Sequence, residues 1–473
     1  MSRGGSLVKN TVIFAVGSLG SKLLQILLMP FYTEILKGEK FGAVNILMNN
    51  GMLLMPVLSL CVYDGVFRFA MREDADHSKI LSIGMRISLI GTLAAVIAGV
   101  GLSYWPGISR ANLWLVLAYS VSGMLMSLTT QFLRAIGKTG MYTLSTLAQT
   151  LVILVCNIIF LLVLKLGVSG YVLAYTLGNV TALAFSYIVG KLWKYNKSVK
   201  LNEKLSRELV VFSLPLMLNA LCYFAITSTS MYFIEYFRGK GATGVFTAAN
   251  KIPPFLVIIN SIFILAWQMS ANLEYGQKDY PRFVGRVNAM YQSVYLMCGA
   301  TIITLTKPIA AIMYRGEDFS GTWQHIPILV FGTTVFTFGQ FLGVLYTASG
   351  KTVMAFVTNG AAAVVSLAAG WLLTMHFGIF GACAGLVITY LVFWLLRAFT
   401  LRKEIEAPKW GRPVLYSGLV FVALTAVITW DFPYAFYTGL ALWGIMLALN
   451  FKVLLKMADW GRRNLPGMVK KGS

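Results

Sequence analysis

Two lysines stand inside long apolar runs, where a charge is expensive. Lys22 lies about eleven residues into the run 11–34, roughly 16 Å deep at 1.5 Å per residue. Lys251 lies about six or seven residues into the run 245–268, roughly 10 Å from its start. A lysine at the bilayer centre costs at least about 2.5–3.5 kcal/mol, so it normally faces a bundle interior or a watery cavity. The alternative is that it snorkels to an interface. In a cavity, a compact ammonium can hold a phosphate or diphosphate. Gln25 lies one turn from Lys22, Asn250 beside Lys251, and Arg68 just after the second run. These five are the candidate substrate-binding residues.

Carboxylates inside the apolar runs are scarce. Asp64 lies near the inner end of the second run, and Glu34 and Glu235 near the outer ends of the first and seventh. Asp64 can pair with Arg68 one turn away or relay a proton or cation. Asp64, Glu34 and Glu235 are the candidates for ion coupling or gating. Asn49, Asn50, Gln131, Asn157, Asn219 and Gln340 can line a cavity or hold helices together. His77, His325 and His376 share no metal spacing. Cys61, Cys156, Cys222, Cys298 and Cys383 form no C-x-x-C, so no metal and no disulfide framework is expected. No catalytic constellation is present, and an enzyme is not expected.

The elements that carry these residues follow from composition. The 473 residues are 58% hydrophobic and 12% charged, with a mean hydropathy of +0.73. Soluble domains have about 25% charged residues, so this chain cannot cover a water-facing surface. Its apolar content also excludes disorder. A helix needs roughly 20 apolar residues to cross a bilayer. That ruler predicts about fourteen spans, near 11–34, 43–66, 80–104, 112–133, 142–164, 169–190, 209–235, 245–268, 286–306, 324–347, 353–375, 379–399, 414–430 and 434–455. The runs are continuous rather than alternating, which excludes a β-barrel. The N-terminal run is too long for a signal peptide and has no A-x-A site. No connecting segment is long enough for a soluble catalytic domain.

The net charge of +22 is mostly an orientation signal, not a sign of nucleic acid. With the N-terminus inside, about 29 of the 39 basic residues fall in cytoplasmic segments. The expectation is a multi-pass protein of the cytoplasmic (inner) membrane with both termini cytoplasmic.

An internal repeat organises the spans. Ala135–Met141 and Ala348–Met354 both read A-x-G-K-T-x-M on the inner side. Gly167–Gly170 and Gly378–Gly381 both read G-[VI]-x-G on the outer side, and Glu34–Gly38 matches Glu235–Gly239. The order and offsets predict two parallel halves related by an axis along the membrane normal. The expected domains are 1–203 (spans 1–6), 204–405 (spans 7–12) and 406–473 (spans 13 and 14 with a basic cytoplasmic tail). The G-K-T tripeptides are not P-loops, because Phe132 and Leu345 stand where the first glycine belongs.

Pro30–Leu36 followed by Phe41-Gly42, Asp64–Phe69, Arg134–Lys138, Phe212–Pro215 and Thr243–Pro253 together resemble the polysaccharide-transporter (Wzx-like flippase) family. That family belongs to the multidrug/oligosaccharidyl-lipid/polysaccharide exporter superfamily. The resemblance implies an all-α fold of two six-helix lobes in a V around a central cavity, plus two C-terminal helices. It implies a flippase that moves an undecaprenyl-diphosphate-linked oligosaccharide from the inner to the outer leaflet by alternating access. Lys22 and Lys251 match basic residues of the related lipid II flippases that hold the diphosphate. Those flippases carry an Arg-Asp pair where Leu28-Met29 stands here, and many relatives carry Asp-Arg where Ser230-Met231 stands.

The expected partners are membrane lipid, the polyprenyl-diphosphate-linked glycan and polysaccharide-assembly membrane proteins, with no nucleic acid, and the expected state is a monomer. No cofactor is expected beyond a coupling H+ or Na+. The alternatives are a lipid II or teichoic-acid precursor flippase, a multidrug/cation antiporter, which would need membrane carboxylates, and a membrane glycosyl polymerase, which would need a larger outer loop.

Overall fold

A computed structural model describes residues 28–72, 74–195, 203–314, 316–406, 408 and 412–470. Side chains at 262, 265, 266, 269, 273, 352 and 456–470 also fall outside the description. The described residues form helices and turns, with no strand among them. Its helices are α1 (Met29–Ile35), α2 (Gly38–Ser59), α3 (Val62–Ala70), α4 (His77–Ser103), α5 (Arg110–Ala135), α6 (Thr139–Ile158), α7 (Gly167–Ile188) and α8 (Glu203–Ala249). They continue as α9 (Pro254–Glu274), α10 (Tyr280–Thr304), α11 (Thr306–Met313), α12 (Ile326–Ala348), α13 (Thr352–Thr400), α14 (Arg412–Thr429) and α15 (Ala435–Lys470). Among the described residues, ten helices are long and apolar enough to cross a membrane. The protein is a multi-pass membrane protein.

Several predicted spans are broken helices. The second ends at Ser59, where Leu60 and Cys61 both take left-handed φ of 50° and 53°. The chain then restarts as the short α3. The ninth bends by 62° between α10 and α11. By contrast, α8 and α13 run for 47 and 49 residues, and their breaks at the positive-φ glycines Gly239 and Gly378 fall between predicted spans.

The repeated motifs adopt the same turns. Gly137 and Gly350 have φ of +77° and +70°, and new helices begin two residues later at Thr139 and Thr352. A side chain there would cost roughly 1–2 kcal/mol, which explains the glycine in both motifs. The two lysines fasten the turns. Lys138 Nζ donates to Gly190 O at 2.9 Å, and Lys351 Nζ pairs with Glu404 at 3.1 Å. Gly167 and Gly378 likewise share φ of +58° and +59°.

The chain forms two compact units, Ser6–Phe224 and Ala225–Ser473, the division running through α8. In the first unit α3, α4, α5 and the start of α8 share a core of Val66, Phe69, Leu81, Leu128, Phe132 and Leu209. In the second, α12 is the most buried helix. There α14 and α15 are joined by Asn450 donating to Ser417 at 2.7 Å. Trp443 Nε1 ties α15 to Thr301 of α10 at 3.0 Å.

Candidate functional site

Lys22 and Gln25 lie outside the described residues. Asp64 and Arg68 belong to the first unit, with Glu34. Asn250, Lys251 and Glu235 belong to the second. Each group is taken within its own unit.

Lys251 stands in the turn that separates α8 from α9. The sequence Lys251-Ile252-Pro253-Pro254 makes this break, because neither proline has an N–H for the carbonyl four residues earlier. The Asn250 N–H still bonds Phe246 O at 2.9 Å, and the Lys251 N–H turns back to Ala248 O at 3.0 Å. Tyr314 Oη donates to the same Ala248 carbonyl at 2.8 Å and holds the broken end. Asn250 and Lys251 are half-buried. Among the described residues no carboxylate pairs with Lys251. The sequence placed Lys251 early in an unbroken span beginning at 245. Instead α8 resumes after Gly239, so about 18 Å of helix separates the lysine from that break. Irregular backbone at such a point is tolerated where it is buried in protein or lines a cavity.

Arg68 does not pair with Asp64. Its guanidinium lies 4.4 Å from the Phe212 ring centre, and it is exposed. The charge that Asp64 senses is Arg134 of α5, which itself lies 4.7 Å over Phe67. The expected i,i+4 pair does not form, because Arg68 turns onto Phe212 of α8. Glu34 is exposed at the end of α1. Glu235 is half-buried one turn before Gly239 and faces the charge of Lys240.

Several in-span polar residues join helices. Asn260 of α9 donates to Gln340 of α12, and Tyr291 of α10 donates to Asn260 Oδ1 at 2.7 Å. Gln340 is thus helix glue. Gln149 donates to Asn179 at 2.8 Å, joining α6 to α7.

One buried charge escaped the sequence reading. The charge count put Arg397 on the cytoplasmic side, near the end of the predicted span 379–399, yet it is 6% exposed. Its guanidinium donates to Gly339 O at 2.7 Å and Asn359 Oδ1 at 2.8 Å, and lies 3.9 Å over Phe393. It pins both arms of the α12–α13 hairpin with neutral acceptors only. The available signal was its place within the apolar run Phe393–Phe399, three residues from the helix end at Thr400.

A family model described as polysaccharide biosynthesis protein matches residues 7–271. The chain belongs to this family. Its fold is similar to the lipid II flippase MurJ in an inward closed conformation (TM-score 0.69, 12% identity, 96% of this chain and 100% of that one). It is also similar to an inward-facing multidrug-resistance transporter of the MATE family (0.66, 16%, 82% and 98%). The Vibrio cholerae MATE transporter VcmN matches as well (0.55, 17%, 85% and 97%). No curated protein matches the sequence. A membrane protein of polysaccharide biosynthesis thus has the fold of flippases and transporters.

Proposed function

We propose that the protein is a flippase for an undecaprenyl-diphosphate-linked oligosaccharide, acting by alternating access rather than by catalysis. The observation that carries this reading is Lys251, a cation at a proline-made helix break with no carboxylate partner among the described residues. A diphosphate is the complementary anion. Lys22, inside the first predicted span, is proposed as its second cation. The polyprenyl tail stays in hydrocarbon while the charged glycan crosses, and an H+ or Na+ gradient resets the inward state. The proposed site is the cytoplasmic membrane with both termini inside. Ion pairs in the second unit support this topology: each joins residues that the positive-inside count puts on one side. Lys351–Glu404 and Arg282–Glu406 are cytoplasmic-side pairs, and Lys307–Asp431 is an outer pair.

Two competing cargoes have less support. Met29, 2% exposed, stands where lipid II flippases carry a charge. Cationic drugs would need a membrane carboxylate where this chain offers a lysine.

The test is reconstitution with a fluorescent lipid-linked oligosaccharide, with and without H+ or Na+ gradients. Lys22→Gln and Lys251→Gln should each abolish translocation while leaving insertion intact. Undiminished flipping by both variants would overturn the diphosphate reading.

A further inference from the structure

We propose that a groove between α8 and the first arm of α13 binds one acyl chain of an anionic phospholipid, with the lipid phosphate on Arg238. The groove has a volume of about 550 Å³ and is lined wholly by apolar side chains, among them Phe233, Val364, Leu367, Ala368 and Trp371. It forms because small residues let the helices approach unevenly. At Gly370 an added Cβ would stand 3.1 Å from the Phe233 ring. One turn away, Leu367 and Ala368 leave the channel open, and both are exposed.

One end of the groove is closed by aromatic rings and a cation. Trp371 packs on Phe233, Tyr236 and Phe237 at centroid distances of 5.5, 5.6 and 4.8 Å. Beyond them, Arg238 donates to Met375 O at 3.3 Å, and its Nε lies 3.0 Å from where a Gly378 Cβ would be. Arg238 is exposed and makes no ion pair among the described residues. Arg238 is the cation that the hydrogen bond to Met375 fixes at this end of the groove.

The spacing fits one leaflet. Val364 and Met375 are separated by about 16 Å of helix, against about 15 Å for half the hydrocarbon core. An apolar channel of that length, an aromatic collar at interfacial depth and an arginine beyond it match an acyl chain, a glycerol region and a phosphate in that order. Lipid that merely surrounds the protein would be indifferent to headgroup charge. This site is not, because the side chain beyond its aromatic collar is cationic. The inference does not depend on what the protein transports.

The experiment uses the full-length protein in phosphatidylcholine nanodiscs containing phosphatidylglycerol with a diazirine in its acyl chain. After illumination, labelled peptides are mapped. Labelling should concentrate on Val364–Leu372 and be displaced by unlabelled phosphatidylglycerol. Arg238→Gln should lower it about fivefold, the worth of one cation against an anionic surface. Ala368→Trp fills the channel and should remove it. Arg238 is exposed, so its variant reads the site even where the tryptophan disturbs folding. Equal labelling of this segment by a diazirine phosphatidylcholine, or labelling indifferent to Arg238→Gln, would overturn the proposal. Displacement by polyprenyl phosphate but not by phosphatidylglycerol would overturn the phospholipid assignment.

Discussion

Arg397 shows how a single residue can be costly and still structural. Its charge is held by a carbonyl, an amide and a ring rather than by a carboxylate. Arg397→Leu removes the donor to buried Asn359 Oδ1, and a buried polar group that loses its partner costs about 1–3 kcal/mol. The thermal midpoint, read by tryptophan fluorescence, should fall. Arg397→Lys should not restore it, because an ammonium cannot reproduce the forked geometry. A lysine variant as stable as the parent would show that charge alone matters. Outside the membrane, Asp76 caps α4 by accepting from the Lys79 N–H at 3.1 Å and pairing with its ammonium at 3.0 Å. These contacts hold its carboxyl below the usual range. A depressed folded value adds stability above the unfolded value, near 3.8, and loses it as pH falls through the folded one. Asp76→Ala should therefore lower the midpoint at neutral pH, and the difference should shrink on acidification below about 4. A pH-independent difference would remove the carboxylate from the explanation.

The helices are set by their interruptions as much as by their apolar lengths. The prolines at 253 and 254 break one span, and paired glycines end the hairpins. Gly137→Ala and Gly350→Ala should each cost about 1–2 kcal/mol, since both φ values are left-handed. Gly381→Ala should be worse, because its Cβ would lie 1.9 Å from the Leu373 carbonyl. Gly360→Ala, with nothing within 4 Å of the added atom, should be neutral or stabilising by up to about 1 kcal/mol. Comparing the four midpoints checks the assignment of each glycine. A Gly381→Ala no worse than Gly360→Ala would contradict the close packing across the Gly378 break. Leu60 and Cys61 are the element no pattern announced: nothing in an unbroken apolar run marks two consecutive left-handed residues.

At the scale of the molecule, the ion pairs constrain topology. Lys351 and Lys307 are tied to Glu404 and Asp431 respectively, and the charge count puts the two pairs on opposite sides of the membrane. In a background without the five native cysteines, Lys307→Cys should react with an impermeant maleimide in intact cells. Lys351→Cys should react only after permeabilisation. The reverse pattern would invert the orientation. α14 and α15 are joined to each other by Asn450–Ser417 and to α10 of the second unit by Trp443–Thr301.

The helical class, the membrane setting and the family were legible in the sequence, because hydrocarbon imposes a length and a composition on anything that crosses it. The repeated A-x-G-K-T-x-M turns were legible for the same local reason, as only glycine enters that φ cheaply. The candidate site was legible only as residue types: Lys251 stood out by its charge, but its place at a helix break did not. The turn of Arg68 onto Phe212 instead of Asp64, the burial of Arg397, and Gln340 as glue were decided by tertiary structure. Each depends on which faces of distant helices meet, and a one-dimensional apolar run carries no record of its neighbours.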